Sequence, residues 1–392
     1  MNLLDYDLGD AIATKKLSLQ GEKKIFEVYR IPIKHLVYNK KNGRIATYVS
    51  QYLDEGNEFP EDVEQFNNII ETYIEKSNSD ALKKTKANIK IMSQTEPAVV
   101  LSNGIVLDGN RRFTSLRQLS REGAGAEFNY LEAVILDGKK YNEKDIKRLE
   151  LNLQHAIEAR VDYNPIDRLV DIYRDLIEDD GVFTPEEYSR ETQISLSKIK
   201  EDIEISKLMI DYLDFIKRPL RFHIARDQKI DGPIREIHKI LKSNRIDVES
   251  KDDIQEFLFL NIMSLSGDIS RKIRDLRPVI EDKQLGTELL EEIDETEILD
   301  DAVKSFSENS NNETVSLDIK IQSKVSELTE GMVERKKIQN AKNQPFEILN
   351  KSFKILREID LDSLNRLEKN SKQEFHELLI QVANFVEELK NI

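Results

Sequence analysis

Apolar residues recur with a strand's period in some stretches and a helix's period in others, and the change of period divides the chain. Between Lys24 and Asn39, the positions Ile25, Val28, Ile31, Ile33, Leu36 and Val37 predict one or two strands, broken at Pro32, which has no amide to donate to a ladder. Helical spacing takes over from Pro60 to Lys90, where Phe66, Ile69, Ile70, Tyr73 and Ile74 mark one face. Ile105-Val106-Leu107 is a short β-prone run and Asp108-Gly109 is turn chemistry. Asn110 to Leu119 then has helical spacing with Phe113 and Leu116 on one side. A further strand is expected over Leu131 to Leu136, and a helix from Asn142 to about Ala159. Another helix spans Asp167 to Glu178, with Pro165 in its first turn, where a missing amide costs nothing. This alternation predicts an α/β domain over residues 25–160, preceded by an arm over residues 1–24, and a helical chain thereafter.

Within the helical part, Thr184 can cap, Pro185 suits the first helical position and Glu187 completes a capping box. Tyr188 and Thr192 fall on that helix, Gln193-Ile194-Ser195 forms a turn, and Leu196, Ile199, Ile203 and Ile205 line the next helix, so a helix-turn-helix is expected within residues 161–280. A helical hairpin used only for packing has the same pattern. Residues 281–314 read as an acidic helix or tether ending in the linker SFSENSNNET. In residues 315–392, Phe346, Leu349, Phe353 and Leu356, and then Phe375, Leu378, Leu379, Val382, Phe385, Val386 and Leu389, predict two amphipathic helices separated by Pro345 from what precedes them. They suit homodimer formation or packing on their own domain.

At 392 residues the chain can bury two or three cores. Its 39% hydrophobic and 34% charged composition, with no apolar run of membrane-spanning length, is that of a soluble protein without membrane contact, and the acidic start MNLLDYDLGD lacks a basic signal region, so a cytoplasmic location is expected. The absence of cysteine excludes disulfides, thiolate metal sites and cysteine nucleophiles. His35, His155, His223, His238 and His376 are scattered without metal-ligand spacing. No Walker A, Rossmann or serine-elbow motif is present. A net charge of −15 argues against a protein that coats nucleic acid with its whole surface. Lys217 to Arg245 nevertheless holds nine Lys or Arg against three acids, whereas Glu281 to Asp301 holds ten acids and one lysine, so DNA contact is expected to be local. The candidates for it are Ser195, Ser197, Lys198 and Lys200 on the second helix of the motif, and Lys217, Arg218, Arg221 and Arg226 in the basic stretch, against Glu201, Asp202 and Glu204 nearby.

The densest chemistry lies in Ser102 to Leu119, SNGIVLDGNRRFTSLRQL. A glycine turn feeding a helix start presents backbone amides, and Gly109, Asn110, Arg111 and Arg112, with the hydroxyls of Thr114 and Ser115, form a candidate phosphate site. Asp108 reads as a turn former that can also orient the guanidinium groups. An arginine pair beside a glycine turn equally suits a structural salt-bridge cluster.

The flanks carry a resemblance. Thr95-Glu96-Pro97-Ala98-Val99-Val100, then SNGIVLDGNRRFTSL, then Leu131 to Leu136 resembles the N-terminal domain of the ParB/sulfiredoxin superfamily, in which a "Q-P-(hydrophobic)-V" strand leads into a "DG-x-RR" phosphate motif. Glu96 stands where many members have Gln, and Asn110 where chromosome-partitioning members have Glu. Asp162 to Asp167 is similar to the family's "DLNPIE" helix start, and Thr184 to Met209 resembles its helix-turn-helix. The resemblance implies an α/β ParB/sulfiredoxin-like domain, then an all-α helix-turn-helix domain and a helical C-terminal region. It implies a nucleoside triphosphate, CTP or ATP with Mg²⁺, on the glycine-arginine motif, with Glu96 beside it and Arg44, in Asn42-Gly43-Arg44, echoing an "N-P-R" loop.

The family's "E-N-x-Q-R" motif fits two registers here. One places Arg160 at the arginine and Ile157 at the metal-binding Asn; the other restores Asn152 and Gln154 but sets His155 at the arginine. The preferred assignment takes Arg160 for phosphate, with Asn152 and Glu158 as Mg²⁺ ligands. The lack of cysteine removes sulfiredoxin chemistry, and no catalytic residue is assigned. The functions implied are an NTP-controlled DNA-binding regulator or adaptor with slow hydrolysis, an NTPase or nuclease component of a phage-defence or DNA-modification system, and a protein-interaction module with a decayed NTP site.

Overall fold

Six strands and sixteen α-helices are described in the computed structural model, over residues 2–20, 22–158, 164–308, 315–360, 363–364 and 366–390. They fall into two units, residues 1–330 and 331–392. The sheet of the first unit is built from β1 (Ala13–Leu19), β2 (Glu22–Pro32), β3 (Val37–Tyr38), β4 (Ala98–Leu101), β5 (Ile105–Asp108) and β6 (Tyr130–Leu136), in the order β1-β2-β6-β4-β5-β3. Its β6/β4 and β5/β3 pairs are parallel and the others antiparallel. Pro32 ends β2, as its missing amide requires.

Both faces of the sheet are covered, which explains why β4 reads as an unbroken apolar run. Ala98, Val100, Val106, Leu131 and Ala133 share one core with α1 (Ala46–Asp54), α2 (Val63–Ser77), α3 (Ser79–Met92) and α4 (Asn110–Arg121). Val99, Leu101, Leu107, Val134 and Leu136 point the other way, onto Leu149 and Leu153 of α5 (Glu143–Glu158). Leu151, two residues along from Leu149, joins Ile172, Phe183, Tyr188 and Ile199 of the helical part, so α5 is the seam between the sheet and the helices.

The helical part begins with α6 (Pro165–Leu176) and continues through α7 (Pro185–Thr192), α8 (Leu196–Phe215), α9 (Phe222–Asp227), α10 (Asp231–Leu241), α11 (Lys251–Ser264), α12 (Ile269–Ile280), α13 (Lys283–Glu295) and α14 (Ile298–Glu308). The capping box at Thr184 and Glu187 is formed, and Gln193 takes a left-handed conformation between α7 and α8. Helix α15 (Ile319–Arg357) has residues in both units, and α16 (Lys369–Lys390) lies in the second.

The structure corrects two expectations and refines two. Residues 13–19, expected in an arm, form the edge strand β1, where Leu17 and Leu19 alternate with exposed Lys16 and Ser18. The stretch Pro60–Lys90 is two helices, because the Asn78 side chain accepts the Ala81 amide at 2.9 Å and starts α3. Of the helix or tether read in the acidic segment, the chain takes helix and not tether: Leu285, Leu289 and Ile293 of α13 and Ile298, Ala302 and Phe306 of α14 are buried. Residues 309–314 of the expected linker lie outside the described residues. Pro345 does not separate the C-terminal helix from its predecessor, since α15 runs through it. In the second unit, Phe346, Leu349, Phe353 and Leu356 on α15, and Leu378, Leu379, Phe385, Val386 and Leu389 on α16, are exposed.

Candidate functional site

The chain leaves β5 at Asp108, turns at Gly109 with φ of 98° and enters α4 at Asn110. Glycine is required there twice over. The backbone is left-handed, and a Cβ would sit 2.8 Å from that of Ala98 and 3.1 Å from the Arg112 guanidinium. The first bond of the helix runs from the Phe113 amide to the Gly109 carbonyl at 2.9 Å, so the amides of Asn110, Arg111 and Arg112 precede the intrahelical ladder.

The two arginines at this turn do different work. Arg112 donates to the Asp108 carboxylate at 2.9 Å and also to the Glu96 carbonyl, fastening the start of β4 to the turn. Lys15 of β1 reinforces the same point, donating to the Pro97 carbonyl at 2.5 Å with Asp108 3.9 Å away. Arg112 therefore carries the salt-bridge role. Arg111 is pushed down to about 10, by burial first and then by the neighbouring charges of Arg44 and Arg112, against the pull of Asp108. It stays charged at neutral pH, and its environment is crowded with like charge.

Arg44 reaches this place from far away in sequence. Asn42, itself buried, accepts the Arg44 amide at 3.1 Å and starts the short 3-10 helix Gly43–Ile45, which sets Arg44 beside Arg111. The Asn110 side-chain oxygen is buried without a hydrogen-bond donor among the described residues. Gly109, Asn110, Arg111 and Arg112 thus stand together at the turn, and the charge of Arg44 acts on Arg111 there.

Other predicted positions are placed elsewhere. Thr114 is fully buried, bonded to the Tyr38 hydroxyl at 2.7 Å and donating to the Asn110 carbonyl at 3.0 Å. Ser115 is also fully buried and donates to the Arg111 carbonyl at 2.9 Å. These hydroxyls seat the helix and do not face solvent. Glu96 is exposed and contributes its carbonyl to Arg112. Asn152 donates to Glu191 of α7 at 3.1 Å, which fixes it across the seam to the helical part. Arg160 and the Glu158 side chain lie outside the described residues. Among the described residues, no group of three or more metal-binding side chains is assembled.

Of the DNA candidates, Ser195 caps α8 and lies within 3.3 Å of Ser197. Lys198 pairs with Glu201 at 2.7 Å and Asp202 at 3.3 Å, and Lys200 stands 4.0 Å from Glu186. Asp202, fully buried, also binds Arg168 at 2.7 Å and Arg235 at 3.2 Å, so cations around α8 are drawn inward. Arg218 is buried and donates to the Lys217 carbonyl at 3.1 Å, which removes it from any nucleic-acid surface. Arg226 stacks 4.0 Å over the Tyr48 ring and donates to Thr47 and Gln51 of α1. It is likewise structural. Lys217 is exposed and Arg221 half-buried.

Sequence reasoning missed a buried charged group behind the turn. Glu150 of α5 is pushed up to about 7, chiefly by burial, with Asp171, Asp175 and Asp108 adding to the effect and Lys147 opposing it. Asp167 is pushed up to about 7 and Asp175 to about 6, each mainly by burial. Lys147 lies 3.3 Å from Asp175. The signal was in the spacing: Asp167, Asp171 and Asp175 recur every four residues and so share one face of α6, a helix that also buries Leu169, Val170 and Ile172.

A scan of family models and a search of curated proteins both find no match. Among solved structures, the chain is similar to a Pnob8-like ParB-N domain determined in a C2221 crystal form, at 13% identity and a TM-score of 0.33, over 68% of this chain and 97% of that one. No helix among the described residues is long and apolar enough to cross a membrane.

Proposed function

We propose that the chain is a ParB-like nucleotide-binding protein, an NTP-controlled regulator or adaptor that associates with DNA. The observation that supports it is the left-handed Gly109 turn at the start of α4, with Arg111 and Arg112 in its first turn and the charge of Arg44 acting on Arg111. An anion there accepts from the leading amides of the helix and from the guanidinium groups at the turn. A triphosphate suits this better than a single phosphate, because Arg44 and Arg111 come from separate elements and can hold different phosphoryl groups. Mg²⁺ is then carried mainly by the phosphates and waters, in keeping with the few protein oxygens it needs. Strand β5, which leads into the turn, packs through Leu107 on Leu149 and Leu153 of α5, the seam to the helices, and this provides a route by which nucleotide and DNA affinity can influence each other reciprocally.

The test is isothermal titration with CTP, ATP and GTP in Mg²⁺. Saturable binding of CTP or ATP should fall at least tenfold in Arg111→Ala, which removes a charge-assisted hydrogen bond worth about 1.5–3 kcal/mol. Titration heats that are unchanged by the substitution would remove the site assignment. A folded chain that binds no nucleotide leaves a protein-interaction module, and measured Mg²⁺-dependent nucleotide turnover or DNA nicking would move it to the NTPase or nuclease reading.

The exposed apolar residues of α15 and α16 supply a surface for a second copy of the chain. Sedimentation equilibrium should give a dimer that Phe353→Glu or Phe385→Glu dissociates. A single monomeric species at micromolar concentration would end this part of the proposal.

A further inference from the structure

Helices α10 and α12 pack on each other through Ile234, Ile237 and Ile240 on one side and Ile273, Leu276 and Val279 on the other. Their remaining faces carry the densest exposed positive charge in the helical part. Lys239, Lys242, Arg245, Arg274 and Arg277 all lie there, and Lys239, Lys242, Arg245 and Arg277, with Ser243, Asn244 and the acid Glu281, line a concavity of about 390 Å³.

The acids of this face sit beneath its cations. Glu236 is 13% exposed and accepts from Lys239 at 3.1 Å and Arg274 at 3.0 Å, whose own exposures are 55% and 58%. Glu281 is 14% exposed and accepts from Arg277 at 2.8 Å and Arg245 at 3.4 Å, themselves 46% and 69% exposed. Each acid thus holds two cations in place while leaving their outer surfaces to solvent. Glu204, itself half-exposed, accepts from Lys242 at 2.8 Å and lies 2.8 Å from the buried His238. The outcome is a pre-positioned set of guanidinium and ammonium groups in excess over the acids that anchor them.

The chemistry of the face selects its partner. No large apolar residue is exposed within residues 231–247 or 269–280. A protein interface needs an apolar or aromatic centre, and a membrane surface needs residues to insert. A repeated phosphate needs only cations. The net charge of −15 repels a polyanion from most of the remaining surface and confines it here.

We infer that the face formed by α10, the turn at residues 242–245 and α12 binds the phosphate backbone of nucleic acid, without reading its sequence. This rests on the DNA association proposed above and on no property of the nucleotide site. It assigns the contact to a different surface from the start of α8, where Lys198 and Lys200 lie among Glu186, Glu201 and Asp202.

The test is fluorescence anisotropy of the full chain with a labelled duplex of about 24 base pairs, titrated between about 50 and 200 mM NaCl, with and without CTP and Mg²⁺. Lys239→Ala/Lys242→Ala/Arg245→Ala should weaken binding roughly tenfold or more, and should reduce the slope of log affinity against log salt by about 0.9 for each phosphate no longer neutralised. The charge-keeping set Lys239→Arg/Lys242→Arg/Arg245→Lys should bind as the parent does, which separates loss of charge from loss of fold. Unchanged affinity and slope in the alanine set, with binding abolished instead in Lys198→Ala/Lys200→Ala, would overturn this assignment and spare the DNA reading. No duplex binding by the parent chain would overturn both, whatever titration shows at Arg111. Competition by inorganic phosphate at matched ionic strength would reassign the concavity to a free anion.

Discussion

Arg117→Ala should cost about 3–5 kcal/mol of stability, the range for breaking a buried ion pair by removing one partner. Arg117 sits a turn and a half beyond Arg111 on α4 and is almost completely buried. Its Nε donates to Glu71 at 2.8 Å, its two terminal nitrogens reach Glu64 at 3.1 and 2.8 Å, and one of them also reaches Asn68 at 2.8 Å. All three acceptors lie on α2, so this one side chain ties α4 to its neighbour. Glu71 is also buried, and Arg121 alone would be left to neutralise it. Urea denaturation reads the loss directly. The pair Arg117→Met/Glu71→Leu should lose less than the single change, because it leaves no buried charge behind. A single variant within about 1 kcal/mol of the parent would mean that the network is spectator to the fold. Because α4 also presents Arg111, a loosened α4 should weaken nucleotide binding beyond what the stability loss explains.

The four arginines of α4 show what the sequence could and could not convey. Spacing alone placed the strand, the glycine turn and the helix of this segment, because a left-handed glycine after an apolar strand admits few alternatives. It did not sort Arg112, held by Asp108, and Arg117, held by Glu71, from Arg111, which meets Arg44 across about seventy residues of chain. Those partners come together only through tertiary packing.

Charge misled in two opposite ways elsewhere. The lysines of β1 hid a strand whose inward residues are Leu17 and Leu19, and the ten acids after residue 280 hid the four-residue recurrence of Leu285, Leu289 and Ile293. In both stretches the apolar stripe is narrow, and composition outweighed period. The basic run from Lys217 failed differently. Its first half is consumed by packing, as Arg218 and Arg226 demonstrate, while its second half joins cations of α12 that were not noticed, because they lie about thirty residues downstream.

Glu150→Gln should stabilise the chain at pH 8 by on the order of 3 kcal/mol and have little effect near pH 5. Glu150 is buried, and its carboxyl is pushed up to about 7, first by burial and then by Asp171, Asp175 and Asp108. Asp167 at about 7 and Asp175 at about 6 behave alike. Between the ordinary carboxylate range and these values the folded chain holds protons that the unfolded chain has released. Stability from these groups is therefore full at low pH and is lost as pH rises from the ordinary carboxylate range to about 6 to 7. Glutamine has no proton to lose, so the difference between variant and parent should open across that window. Lys147 keeps Asp175 as a partner at 3.3 Å in the variant. A difference that stays the same at pH 5 and pH 8 would show that Glu150 is ionised throughout. Glu150 also accepts from Asn39 at 3.4 Å, at the head of the loop that carries Arg44, and its charge acts on Asp108 beneath the glycine turn. Its ionisation therefore adds negative charge behind the proposed triphosphate site. Nucleotide affinity should fall over the same pH window in the parent chain and fall less in Glu150→Gln, which ties the buried carboxylates to the arginine cluster by a measurement independent of stability.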